Sequence, residues 1–307
     1  MKTTTGRNCL LAAAACVAVG CARGELPVAQ LATSPNAAQN EHEPFAGELP
    51  ANSDALRFVN FNADEQAKPD QGYGHFQGRF ILEGAPKPAK LAIGQDAAFC
   101  GKFGLVDESI KTSADGGLAN VVVFVLPDKN DGPPEPHPSY AKTAAAEVVL
   151  DNRNCQFQPR VLLVRTSQKF KATNSDSISH NTKIEYDPDP INPNILPGQS
   201  IKHAFPEEQR LPVSVSCSSH SWMQAKLVVR DSPYMAVTDD EGNFQIENLP
   251  VGKWTFQFWH EALGYIRLVN VGGRDADWAR GRYEVSIDSE GVSRLGDVTL
   301  KMADFPQ

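Results

Sequence analysis

The chain has 307 residues, enough for two small domains or one large β protein. Hydrophobic residues make up 41% of it, which supports a proper core, yet no internal apolar run reaches membrane-spanning length. Lysine plus arginine number 29 against 37 acidic residues, for a net charge of -8, and an acidic body excludes nucleic acid as the expected partner because phosphate binding wants a basic face.

In chain order, Lys2 and Arg7 precede an apolar, alanine-rich stretch from Cys9 to Gly20, so residues 1–21 read as a signal peptide. The mature protein is then expected in the periplasm or at the cell surface. Ala18-Val19-Gly20-Cys21 resembles a bacterial lipoprotein cleavage box, with alanine where leucine is usual. That resemblance makes Cys21 a candidate lipidation site and the one expected route to a membrane. Residues 22–69 open with an aperiodic stretch rich in Ala, Asn, Glu and Pro and read as a flexible linker.

From there on, short runs of β-branched and aromatic residues recur between Gly and Pro turn signals, as in an all-β protein. The runs are His75 to Leu82, Asn120 to Leu126, Glu147 to Leu150, Val161 to Arg165, Lys169 to Thr173 and Ser200 to Phe205. They continue with Pro212 to Ser216, Lys226 to Arg230, Asn243 to Ile246, Trp254 to Trp259, Arg282 to Ile287 and Asp297 to Lys301. Val121 to Val125 is continuously apolar, which predicts a strand buried on both faces. Helix is expected only as a turn or two near Asp275 to Arg280. Three blocks follow: an N-terminal β extension over 70–117, a compact set of strands over 118–231, and a second small β unit over 232–307. In the last block Trp254, Phe256 and Phe258 alternate with Thr255 and Gln257, which puts three aromatics on one face. Asp239-Asp240-Glu241-Gly242 reads as an acidic hairpin turn, since four residues fall far short of a calcium loop.

Beyond the leader and Cys21 three cysteines remain: Cys100, Cys155 and Cys217. In an oxidising compartment two would pair and one would be left over. The sequence does not fix which two pair. Cys100 with Cys155 is the preferred pair because Cys217 stands among other ligand-type side chains. A disulfide from Cys217 to Cys100 or Cys155 is the competing arrangement.

Cys217-Ser218-Ser219-His220-Ser221-Trp222-Met223 delivers a thiolate, an imidazole and a thioether within seven residues, between two strands. Upstream, Ser179-His180-Asn181 follows the strand that ends near Asn174 and Asp176. Two imidazoles, a thiolate and a long axial thioether are the donors of a blue-copper centre, since sulfur suits Cu(I) and imidazole accommodates Cu(II). Structural zinc would instead want four Cys/His donors, and methionine is a poor zinc ligand. The candidate metal ligands are therefore His180, Cys217, His220 and Met223. Trp222 is expected to pack over the metal or to anchor the loop in the core. His203 reads as a solvated or satisfied side chain, His260 as a strand-end residue hydrogen-bonding across the domain interface, and His75 and His137 carry no motif.

These residues resemble a cupredoxin. The Cys-x2-His-x2-Met spacing is similar to that of amicyanin-type members, whereas plastocyanin-type members have a longer gap before the methionine. The resemblance runs back through Cys155 to Arg160 and the strand Val161 to Val164, and on through Asn174, Asp176, His180 and Asn181 to Val229. It implies a cupredoxin-type Greek-key β-sandwich holding one type 1 copper ion, with Asn181 tying the two ligand segments together. It also implies an exposed edge of His220 as the electron route. Two features depart from the family: Ser221 replaces the usual proline, and Glu185 to Gly198 is a long Pro- and Asn-rich insertion. Thr238 to Gly252 resembles the carboxypeptidase regulatory-like (transthyretin-like) β-sandwich. Pro233-Tyr234 and Trp259-His260-Glu261 resemble bacterial proteins labelled methylamine utilisation protein, in which both units occur together.

The expected role is one-electron transfer with a redox protein partner. The alternatives are a metal-free β protein that binds protein or glycan, and a copper chaperone or store. No nucleophile elbow, phosphate loop or paired-carboxylate signature is present in context, and the seven histidines are too scattered for a second copper cluster, so an enzyme is not expected.

Overall fold

The computed structural model describes residues 72–85, 87–127, 132–289 and 291–305. The expected signal peptide at 1–21, Cys21 and the expected linker at 22–69 lie outside the described residues.

The architecture is all-β, built from two sandwiches. In the first, one sheet runs in the order Ser200–His203, Lys169–Asn174, Glu147–Arg153, Gln156–Gln158. The facing sheet runs Val161–Arg165, Gln224–Arg230, Val213–Ser216, Lys183–Ile184. Strand Lys169–Asn174 shows why these segments extend: Phe170, Ala172 and Asn174 are buried while Lys169, Lys171 and Thr173 alternate outward, the period of a pleated strand. Leu150, Phe170, Val164, Ile184, Val215 and Leu227 from both sheets meet in one core. Each such burial stabilises by about 1.5–3 kcal/mol.

In the second sandwich one sheet runs Asn243–Pro250, Tyr73–Glu83, Val292–Lys301, Leu268–Val271, Arg274–Asp277. The other runs Met235–Val237, Val122–Val125, Gly252–His260, Gly264–Tyr265, with Arg282–Ile287 also paired to Gly252–His260. Five phenylalanines, Phe76, Phe80, Phe244, Phe256 and Phe258, dominate the core between them, and Trp254 packs against it from the same strand face as Phe256 and Phe258. Gly242 closes the acidic hairpin with φ +83°, and a side chain there would run into the Phe80 carbonyl.

The sheets regroup the three blocks read from the sequence. Tyr73–Glu83 pairs in parallel with Val292–Lys301, and Val122–Val125 pairs with Gly252–His260, so both belong with the C-terminal strands. The first sandwich therefore begins near Glu147 rather than at 118, and the 70–117 block is not a unit of its own. Its remainder packs as a flap on the first sandwich: Leu105 and Cys100 enter that core, with Leu91, Ile93 and Phe99 against it. The helical turns expected near Asp275 to Arg280 are mostly strand, Arg274–Asp277, followed by a 3-10 turn at Ala279–Gly281. Antiparallel pairing with Leu268–Val271 overrides the local preference there.

The two sandwiches meet through Val122, Phe124 and Trp259 on one side and Val161 and Val228 on the other. Strand Val122–Val125 is thus buried on both faces, which is why its run is unbroken by polar residues. Arg160 adds a bidentate ion pair to Glu261 across this contact, at 2.6 and 2.9 Å. Beside it His260 is fully buried, and burial pushes its pKa from 6.5 down to about 4. The unfolded chain therefore binds this proton more readily than the folded one between those values. Stability is present in full above about pH 6.5 and falls by roughly 3 kcal/mol as the pH drops toward 4. Urea titrations of the metal-free chain across that range should show this slope, and His260→Gln should flatten it. An unchanged slope in the variant would reject the assignment.

Candidate metal centre

Strands Val213–Ser216 and Gln224–Arg230 form a hairpin, and the loop 217–223 at its tip carries three of the candidate ligands. Two backbone bonds close the loop on itself: Met223 N–H to His220 O at 2.8 Å and Cys217 N–H to Met223 O at 3.2 Å. The alternation is then set: Ser218, Ser219 and Ser221 face solvent, while Cys217, His220 and Met223 are buried. His180 comes from the short strand His180–Asn181, which pairs with Asn194–Ile195 of the insertion, and it too is buried.

The ligand-type atoms of His180, Cys217 and His220 all lie within 4.8 Å of one another. His180 Nδ1 is 3.0 Å from His220 Nδ1, and Cys217 Sγ is 3.5 Å from His220 Nδ1. Each imidazole is turned by a carboxylate behind it. His180 Nε2 is 2.9 Å from Asp176 Oδ2, and His220 Nε2 is 2.9 Å from Asp96 Oδ2. A carboxylate only accepts, so both Nε2 atoms carry the proton and donate it. In the neutral form of each ring the Nδ1 atom then carries a lone pair, and the two Nδ1 atoms face one another. Burial drives the His180 pKa down, favouring the neutral ring.

Asn181 joins the two ligand segments. Its Oδ1 accepts from Ser218 N–H at 2.8 Å and Ser219 N–H at 3.3 Å, with Cys217 Sγ at 3.2 Å. Its Nδ2 donates to Asn192 Oδ1 at 2.5 Å, so the Pro- and Asn-rich insertion helps hold the ligand loop. Asn174 Nδ2 donates to the Ile178 and Ile195 carbonyls at 2.8 Å each, fixing the turn that delivers His180.

The donor set fits a metal of intermediate softness: two imidazole nitrogens, a buried thiol, and a buried methionine on the same loop. Carboxylates behind the histidines are the usual outer partners of metal-bound imidazole, fixing tautomer and ring orientation. A second group, Cys155, Asp176 and His180, is equally close, but Cys155 is oxidised in a disulfide with Cys100 and offers no thiolate. Among the described cysteines, Cys217 is free and buried.

That disulfide is part of the centre's frame. Cys100 ends the turn Ala97–Cys100, which starts at Asp96, the partner of His220. Cys155 and Asn154 donate their N–H groups to Asp176 at 2.8 and 2.7 Å, and Asp176 is the partner of His180. One covalent bond thus links the two segments that aim the two histidines. Trp222 anchors to the same place, its Nε1 donating to Cys155 O at 3.2 Å while its ring stands 5.2 Å from His220.

One expectation fails here. His220 has no exposed edge, because it is 0% accessible and Asp96 lies over its Nε2. The flap held by Cys100 covers the face that was expected to be open. Asp96, 124 residues from His220, carried no sequence signal for this role. Asp176 stood four residues before His180, a spacing that put it within reach. Elsewhere, His203 sits beside Phe205 at 4.9 Å, His75 accepts from Asn248 N–H, and His137 caps a 3-10 turn.

No protein-family model matches the sequence, and no curated protein matches it. Solved structures do overlap with part of it. A reduced Cu(I) form of an amicyanin variant is 20% identical over 29% of this chain and 88% of its own, with a TM-score of 0.26. A purple cupredoxin from Nitrosopumilus maritimus is 25% identical over 27% of this chain and 98% of its own, TM-score 0.23. A copper-containing nitrite reductase from Thermus scotoductus is 18% identical over 35% of this chain and 25% of its own, TM-score 0.26.

Proposed function

We propose that this is an exported protein with one mononuclear type 1 copper site, acting as a one-electron carrier of the cell envelope. The observation that carries the reading is the pair of buried imidazole nitrogens, His180 Nδ1 and His220 Nδ1, opposed at 3.0 Å with the Cys217 sulfur beside them. His180 and His220 would supply nitrogen, Cys217 a thiolate and Met223 a weak thioether. Copper bound there supplies a Cu(II)/Cu(I) couple with small reorganisation.

The chain's own residues do the rest. Asp176 and Asp96 keep the protons on both Nε2 atoms and so leave both Nδ1 lone pairs available. Asn181 fixes the spacing of the two ligand segments before metal arrives, and the dry surroundings of Cys217 keep oxidants and water from the thiol. To ligate a metal, Cys217 would have to give up its thiol proton to solvent. With His220 covered, exchange with a redox protein partner passes through the Asp96 flap or by way of Trp222. The second sandwich is read as a carboxypeptidase regulatory-like unit that stiffens the metal-bearing one. Deep burial of the ligands speaks for retention of copper rather than for delivery as a chaperone. The free state of Cys217, with Cys100 bonded to Cys155, speaks against the metal-free alternative.

The test is an absorption spectrum of residues 22–307 loaded with Cu(II). We expect an intense visible thiolate-to-copper band that vanishes in Cys217→Ser. A colourless protein that binds no copper while keeping a free thiol would overturn the reading.

A further inference from the structure

At the other end of Gln224–Arg230 from the ligand loop, a cleft of about 460 Å³ opens between the two sandwiches. Arg210, Arg230, Arg280 and Arg282 line it, against a single carboxylate, Glu208. That concentration is unexpected in a chain with net charge -8. Among the described residues Arg210, Arg280 and Arg282 have no carboxylate within ion-pair distance.

Arg230 is the telling member, because it is 5% exposed and only partly satisfied. Its guanidinium lies 4.5 Å from the Phe124 ring centre, Nη1 donates to Gln209 O at 3.1 Å, and Nη2 reaches Glu208 at 3.4 Å. Its Nε, also buried, has no hydrogen-bond partner. A buried guanidinium with an unmet donor carries a cost that the neighbouring Glu208 carboxylate only partly offsets. Arg280 adds a second sign of construction: it sits at φ 57°, a left-handed conformation that arginine avoids, and its carbonyl accepts a bond from the buried Gln257 side chain. Residues held so cluster at ligand clamps. Leu126, Leu211 and Tyr265 supply an apolar wall.

We propose that this cleft binds a small organic anion, a phosphate ester or carboxylate with an apolar body, clamped by the four arginines. Guanidinium forks match the oxygen pairs of phosphate and carboxylate, and the apolar wall takes the remainder of the molecule. The volume suits a small molecule, and Arg230 lies too deep for a flat acidic protein surface to reach.

The test is calorimetric titration of the full chain with phenyl phosphate and with inorganic phosphate. Saturable binding at one site per chain is expected, tighter for phenyl phosphate, and at least about tenfold weaker in Arg210→Gln/Arg282→Gln, whose positions are exposed and tolerant. Glu208→Gln should act in the opposite direction and tighten binding severalfold, since it removes the carboxylate competing for Arg230. Equal affinity for the two probes would replace the organic anion by free phosphate and overturn the apolar part. Absence of saturable binding, or binding indifferent to these variants, would overturn the site itself.

Discussion

Replacing Cys100 and Cys155 together by serine should lower stability by about 4 kcal/mol and weaken metal binding at the candidate centre in the same variant. The bond closes a loop with a sequence separation of 55, and chain-entropy reasoning assigns a loop of that size roughly 4 kcal/mol at room temperature. The second effect is particular to this protein. With the bond gone, the turn carrying Asp96 is free to leave His220, and the Asn154–Cys155 turn bonded to Asp176 loses its tie. Urea unfolding of the metal-free variant measures the first effect, and competition for copper with a chelator of known affinity measures the second. An affinity unchanged while stability drops would show that the flap is scaffold only and does not aim the ligands.

Asp176→Ala is the second large effect, expected to cost about 3–5 kcal/mol and a tenfold to hundredfold loss in metal affinity. Its side chain is 3% exposed and accepts from Asn154 N–H, Cys155 N–H and His180 Nε2. Asn154 and Cys155 both sit at positive φ, 55° and 56°, so this carboxylate also holds an unfavourable turn in place. Removing it leaves buried donors unmet and His180 free to turn. Asp96→Ala provides the contrast. That side chain is 39% exposed and bonds one partner, so affinity should fall with less than about 1 kcal/mol of stability. Denaturant titration and chelator competition on both variants separate the two. If Asp176→Ala were as stable as the parent chain, the structural half of the account would be wrong.

Local chemistry explains what could be read in advance. Cys217, His220 and Met223 fall within one hairpin tip, so their convergence needs only the turn to form, and their spacing in the chain is their spacing in space. The same holds for Phe256 and Phe258, whose shared face follows from strand period alone. Arg274–Asp277 shows the limit of such reading. Its residues favour turn and helix, and only pairing with Leu268–Val271 makes them extended.

By itself, then, the amino-acid sequence determined the all-β class, most of the strands of four residues or more, and the candidate loop 217–223 with His180 and its Asn181 neighbour as residues to look at, because each rests on contacts a few residues apart or on period. Tertiary structure alone decided the rest. The strand Tyr73–Glu83 leaves its neighbours in the chain to pair in parallel with Val292–Lys301, Asp96 reaches across 124 residues to His220, and four arginines from both sandwiches gather in one cleft. Pairings at such separation are chosen by which faces remain to be buried and which charges to be met once the sheets have formed. No local pattern of side chains encodes that choice.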